Sequence, residues 1–426
     1  MSDATPPLQI KRAAWHTRVQ GLVFGWFAAA AVVAATRFDD WAWFLVHFLM
    51  LGAVSNALFI WSWHFTGAIL RVPDQADRSA EIQRLALLNL GIAGTVIAVR
   101  VEAPAMIVAS VGFILAAVVL HARAMKRAAR RALASPYAFT VDAYIAACAL
   151  LVPGLLLGAW MEMLDEDSAL LPKLMLAHVS LNLLGWVGLP ILGTIVTLWP
   201  TMLRTRIAPN AALLGRRSLP FLIAGVLITA IGFGIGASSV AAAGALVYLV
   251  GYVRTMKPIA TVTRAKAPAA FSTWTTLAGL CWLFLAVLGL GVSAAAHTVE
   301  PVADALSSLA FVGVVGVVQV LIGCMSYLVP AMAAGGPAIV RLRNDIADSA
   351  MVVRFALINA GAAIACAVTG TSRFVGASML GAGFVWSIVR IALTTPTPSP
   401  DRVAAADEAR VWVDEKEVRR FPFGRR

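Results

Sequence analysis

The chain has 426 residues, of which 60% are hydrophobic and only 13% charged, and its mean hydropathy is +0.83. Such values exclude a water-soluble globular domain and define an integral membrane protein. The formal net charge of +12 does not point to nucleic acid, because the basic residues are distributed as membrane topology requires.

Apolar runs of about 18–25 residues, enough to cross a hydrocarbon core of roughly 30 Å, recur along the whole chain. Twelve are predicted, at 19–36, 41–70, 84–100, 103–121, 138–160, 171–202, 219–236, 239–254, 272–296, 305–333, 352–369 and 374–394. Residues 1–18 form a polar N-terminal segment without the cleavage pattern of a signal peptide. Residues 19–394 form the twelve-helix membrane domain. Residues 395–426 are a basic tail that opens on the linker-like TPTPSP and continues as VAAADEARVWVDEKEVRR, a candidate short helix.

With both termini in the cytoplasm, all but four of the 34 Lys and Arg residues lie on the cytoplasmic side, the exceptions being Arg37, Arg100, Lys173 and Arg373. This is the positive-inside pattern. Clusters such as Arg123, Lys126, Arg127, Arg130 and Arg131 therefore read as topology signals that meet the anionic headgroups of a lipid bilayer. Cys148, Cys281, Cys324 and Cys366 all fall in predicted spans without a CxxC, which predicts packing residues and no structural disulfide.

Span six closes on Gly193-x4-Leu198-x-Pro200-x-Met202. Span ten closes on Gly323-x4-Leu328-x-Pro330-x-Met332, 130 residues later. If the match marks a true repeat, the unit is four helices, the chain holds three units, and spans two, six and ten are equivalent.

Ionisable residues inside hydrocarbon are costly unless paired, solvated in a cavity or bound to something. Of the six histidines, His16, His64, His121 and His297 fall near helix ends, where imidazoles commonly meet headgroups or a neighbouring carbonyl. His47 and His178 lie deeper, six and seven residues into spans two and six. At 1.5 Å per residue both sit roughly 9–11 Å below the outer edge, in one layer. Two neutral imidazoles at matched depth on different helices suit axial ligation of a heme iron, and a copper ion accepts the same ligands. The competing expectation is a hydrogen bond from each ring to Ser55, Asn56, Ser180 or Asn182.

Met161 and Met163 lie beside Asp165, Glu166 and Asp167 in the outer loop, and Met175 is close to His178. These thioethers are candidate copper ligands. Glu162, Glu300 and Asp304 are expected as solvated carboxylates. Trp63 and Trp199 are expected as interface anchors. The glycines of GWVGLPILG (185–193) permit close helix approach or a flat macrocycle against backbone. No HExxH, phosphate-binding glycine loop or nucleophile elbow is present, so no catalytic set supports a stand-alone enzyme.

The segments HFLMLGAVSNALFIWSWHFTGAILR (47–71), LAHVSLNLLGWVGLPILGTIVTLWPTMLRTR (176–206) and GCMSYLVPAMAAGGP (323–337) resemble a bacterial membrane domain usually followed by a cupredoxin module of multicopper-oxidase or copper nitrite-reductase type. More distantly, they resemble heme-copper oxidase subunit I and the heme- and copper-containing membrane proteins of nitric-oxide stress. The resemblance implies a heme-copper-oxidase-like fold. It implies that His47 occupies a heme-ligating position on the second helix and that His178 occupies the sixth-helix position of a copper ligand. Span six lacks a tyrosine four residues beyond its histidine, span seven lacks paired histidines, and span ten carries Gln319 in place of any histidine. An oxygen-reducing binuclear centre is therefore not expected.

The sequence thus predicts an all-α, twelve-span membrane protein binding heme b or copper through His47 and His178. It would serve electron transfer or copper and nitrogen-oxide handling with an exterior cupredoxin-type copper protein. The alternative is a transporter of a metal ion or small molecule, with spans two, six and ten lining the path.

Overall fold

The computed structural model describes residues 12–73, 77–333, 336–396 and 399. The helix expected at 403–420 lies outside them. Among the described residues the chain is helical throughout, without strands. Eleven helices are long and apolar enough to cross a membrane, and the bent pair Pro337–Asp348 and Met351–Ala367, with 40° between its halves, completes up to twelve spans. The protein is thus an all-α, multi-pass membrane protein, and the predicted segmentation stands.

Helix starts and stops follow local chemistry. Pro104 and Pro172 occupy the first turns of their helices, where a missing N–H costs nothing. Connections alternate between two ends of the bundle. One end carries Asp39, Asp40, Glu102, Glu162, Asp165 and Glu166, and the other carries most of the arginines and lysines. We refer to them as the acidic and basic ends.

Repetition is visible in the backbone. Spans three and four (Ser79–Arg100, Pro104–Arg131) and spans seven and eight (Ala211–Gly234, Ser238–Ala265) are hairpins closed by three residues. In both turns the middle residue is left-handed, Glu102 at φ 52° and Gly236 at φ 79°. The bonds Ala103 N–H to Ala98 O and Ala237 N–H to Gly232 O, at 2.9 and 2.8 Å, fall at the same place in each turn. Spans eleven and twelve (Met351–Ala367, Gly370–Ala392) form a third hairpin on an even shorter turn. Within these hairpins the backbones nearly touch: a Cβ on Gly244 would stand 2.3 Å from the amide nitrogen of Thr229.

A polar latch recurs as well. Trp26 of span one donates to Asn89 Oδ1 of span three at 2.8 Å, and Asn89 exchanges side-chain bonds with Asn56 of span two at 2.8 and 3.1 Å. In spans nine, ten and eleven, Trp282 and Gln319 both donate to Asn359 Oδ1, at 2.9 and 3.3 Å. The first, second and third helices of the first and last four-helix units are thus each tied by one tryptophan and two amide side chains, with Gln319 standing where the first unit has Asn56, as interhelical amides do in apolar surroundings. This recurrence carries the four-helix unit well beyond the single sequence match.

Candidate functional site

Span two runs Trp41–Leu70 and span six Leu171–Met202, and each contains a π-helical segment directly after its histidine. In span two, His47 ends an α-helix and Phe48–Val54 is π-helical; in span six, His178 is followed after one residue by Ser180–Gly188. Span ten, Leu306–Met332, is regular and has no histidine. A wider π turn inserts residues into the helix without ending it, and such segments are frequent at functional sites.

The two imidazoles line one cavity of about 520 Å³, walled mainly by apolar residues of spans two, four, five, six and ten. That volume lies within the range of small-molecule and cofactor pockets. His47 Nδ1 donates to the Trp43 carbonyl at 2.8 Å and His178 Nδ1 donates to the Gly154 carbonyl at 2.8 Å. A carbonyl only accepts, so in each neutral ring Nε2 carries the lone pair. Among the described residues neither Nε2 makes a hydrogen bond.

Each ring is fixed from its other side. The Trp43 indole stacks on His47 with centroids 3.9 Å apart and planes at 22°. His178 lies in a notch on span five, where a Cβ on Gly158 would stand 2.9 Å from its Cε1. A metal-binding histidine characteristically gives its second N–H to a carbonyl or carboxylate, which sets the tautomer and holds the ring. Both rings have that arrangement.

The hydroxyls and amides expected as histidine partners are engaged elsewhere. Ser55 donates to Met50 O and accepts from Trp186 Nε1 at 3.0 Å, Ser180 donates to Leu176 O, and Asn182 donates to His178 O. Asn56 belongs to the latch.

Of the candidate thioethers, Met161 and Met175 line the cavity and Met163 does not; Met163 is exposed. Met50, Trp43, Gly154 and Gly158 were not picked out in the sequence. The available signals were the three-residue spacing of Met50 from His47 and the four-residue spacing of the glycines on the preceding span. Glu162 and Asp304, expected in open solvent, also line the cavity, and desolvation raises the Glu162 carboxyl above the ordinary range.

Three residues expected at the interface lie inside. Trp199 is fully buried and donates to Thr263 Oγ1 at 2.9 Å. His121 is 1% exposed, bonded to Ser62 Oγ at 2.8 Å and stacked on Phe59. His16 is buried, stacked on Trp61 and bonded to His64 at 3.2 Å. His297 is exposed, as expected. The bundle packs these helix ends against one another, which burial estimates from depth alone cannot anticipate.

Neither family models nor curated proteins give a match to the chain.

Proposed function

We propose that the protein binds heme b in the cavity through His47 and His178 and serves electron transfer or copper and nitrogen-oxide handling. The observation that carries this reading is the pair of imidazoles on one cavity, each with Nδ1–H held by a main-chain carbonyl and each with a lone-pair Nε2 that no group among the described residues uses. The apolar walls and the volume suit a macrocycle, and Gly158 and Trp43 orient the rings that would hold it. Bound heme would supply a one-electron redox centre inside the membrane. The residues of this chain bind, orient and exclude water. Copper is the second cofactor that the same donors accept.

The arginine-rich end faces the cytoplasm of a bacterium in this reading, by the positive-inside rule. The cavity mouth, with Glu162 and Asp304, then faces outward, where an exterior cupredoxin-type protein would exchange electrons or copper with it. The chain has neither the tyrosine nor the further histidines of an oxygen-reducing centre. Purified protein from heme-supplied cells is expected to show a pyridine hemochrome spectrum of b type. Absence of both heme and copper from folded, cofactor-supplied protein would overturn the reading.

A second reading, transport of a metal ion or small molecule, is supported by a smaller cavity of about 90 Å³ between spans two, six and ten, which shares Val187 with the larger one. It predicts uptake into vesicles that His47→Ala and His178→Ala abolish with no optical change.

A further inference from the structure

We propose that the cavity takes copper(I), with the thioethers of Met50 and Met175 as ligands above and below the two imidazoles. The inference rests on the reading of His47 and His178 as ligands, and it adds a metal, an oxidation state and a residue to that reading.

Each histidine has a methionine three residues away on its own span, Met50 after His47 and Met175 before His178, and all four side chains line the one cavity. Spans two and six both run inward from the acidic end. At 1.5 Å per residue of α-helix, Met175 therefore stands about 4.5 Å nearer that end than His178, and Met50, three residues further along the inward-running span, lies deeper than His47. Soft sulfur donors bracket the imidazole layer on both sides. Met161 adds a third thioether at the acidic end of the same cavity.

The donor set selects the ion. Thioether sulfur and neutral imidazole carry no charge, and soft ligands of this kind favour copper(I) over harder divalent ions. Charge solvation works in the same direction. The cost of taking an ion out of water grows with the square of its charge, and among the described residues the only carboxylates lining the cavity are Glu162 and Asp304. Glu162 and Asp304 are confined to the mouth, where they attract cations without being buried with one. A methionine used only as packing fills irregular space in a core. Met50 instead borders open volume, one turn from an imidazole whose Nε2 has no partner among the described residues.

The test is anaerobic competition for copper(I) between a chromophoric chelator and the full-length protein from heme-deprived cells in detergent, with copper X-ray absorption on the product. The wild type is expected to hold copper(I) against the chelator, with both nitrogen and sulfur in the metal shell. Met50→Leu is expected to weaken retention by about tenfold or more, the scale on which even indirect partners of a metal act, and to reduce the sulfur component. Met163→Leu is expected to match the wild type. The thermal unfolding midpoint and gel-filtration profile of Met50→Leu serve as the folding control and are expected to match the wild type, since Leu for Met is a volume-conserving exchange. Failure of the wild type to retain copper(I), or a shell of nitrogen and oxygen alone, would overturn the proposal. Heme binding without copper(I) binding overturns this inference only, whereas copper(I) with sulfur ligands and no heme supports it and overturns the heme reading.

Discussion

Spans six and ten are the same helix at one end and different helices at the other. Toward the basic end both close on G-x4-L-x-P-x-M, and both glycines face the preceding span at corresponding places: Gly193 meets Thr140 and Ala143, and Gly323 meets Ser272 and Thr276. Toward the acidic end span six carries His178 and a π-helical segment, and span ten has neither. Span two sides with span six. The repeat therefore supplies a scaffold in all three units, and in two of them the cavity-lining helix adds a histidine and a π-helical segment. Where a π segment follows a histidine, the ring lines the cavity; where the helix stays regular, Leu306, Ser307, Ala310 and Val314 line it.

The largest expected effect follows directly from that contrast. His47→Ala and His178→Ala are each expected to lower heme content strongly and to replace the six-coordinate b-type spectrum by a five-coordinate one, because one remaining imidazole cannot close an axial pair. Gln319→Ala in span ten, with its side chain in the latch and outside the cavity, is expected to leave the spectrum as in the wild type. Loss of heme in the Gln319 variant alone would mean that span ten carries chemistry after all.

Next in size is the seat of the His178 ring. A Cβ on Gly158 would stand 2.9 Å from Cε1 and 3.2 Å from Nδ1 of His178, so Gly158→Ala must displace the imidazole from the Gly154 carbonyl. Loss of that type of outer partner typically costs about 10–100-fold in affinity for the bound metal. Heme titration of the variant checks this, with a shifted spectrum at saturation as the accompanying sign. An unaltered affinity would show that the notch does not position the ring.

The scaffold itself can be set against the site. In Gly323→Ala the new Cβ would lie 2.3 Å from Thr276 Oγ1 and 2.7 Å from Thr276 N, whereas in Gly193→Ala it would meet Ala143 Cβ at 3.0 Å. The first requires spans nine and ten to separate. It is expected to cost about 1–3 kcal/mol, the usual range for overpacking, and the second less. Unfolding in mixed micelles would rank them, and a reversed order would break the equivalence of the two glycines.

How much of this was legible follows from which forces leave a trace in sequence. Hydrocarbon demands long apolar runs and charge asymmetry, so the twelve spans could be read off closely. Depth along a helix is also countable, so His47 and His178 could be paired from sequence. Rotation about the helix axis is not countable once a π segment intervenes, since each wide turn shifts the face presented by everything beyond it. Met50 sits within such a segment and was missed for that reason. Met163, two residues from Met161, was taken with it although it is exposed outside the cavity. Lateral packing leaves even less trace: Trp199 looked like an interface anchor because it is a tryptophan at a helix end, and only the neighbouring span shows it to be buried.

The smallest effect separates the two latches. Asn89 accepts from Trp26 and exchanges bonds with Asn56, giving three interhelical bonds at 2.8 to 3.1 Å. Asn359 accepts two, one of them long at 3.3 Å, and the Gln319 carbonyl oxygen beside it is buried without a partner. Hydrogen bonds between membrane helices average about 0.6 kcal/mol each, with a ceiling near 1.7. Asn89→Leu is therefore expected to destabilise by about 1–2 kcal/mol on that scale, and Asn359→Leu by roughly half as much. The two should differ in a second way. Asn56 lies on the helix that carries His47, so loosening the first latch frees span two to shift its imidazole, and Asn89→Leu should release heme faster than the wild type. The last latch holds no ligand-bearing helix, and Asn359→Leu should soften the fold while heme release stays at the wild-type rate. Equal acceleration in both variants would mean that the three units move together, and that stability and ligand geometry are not divided among them.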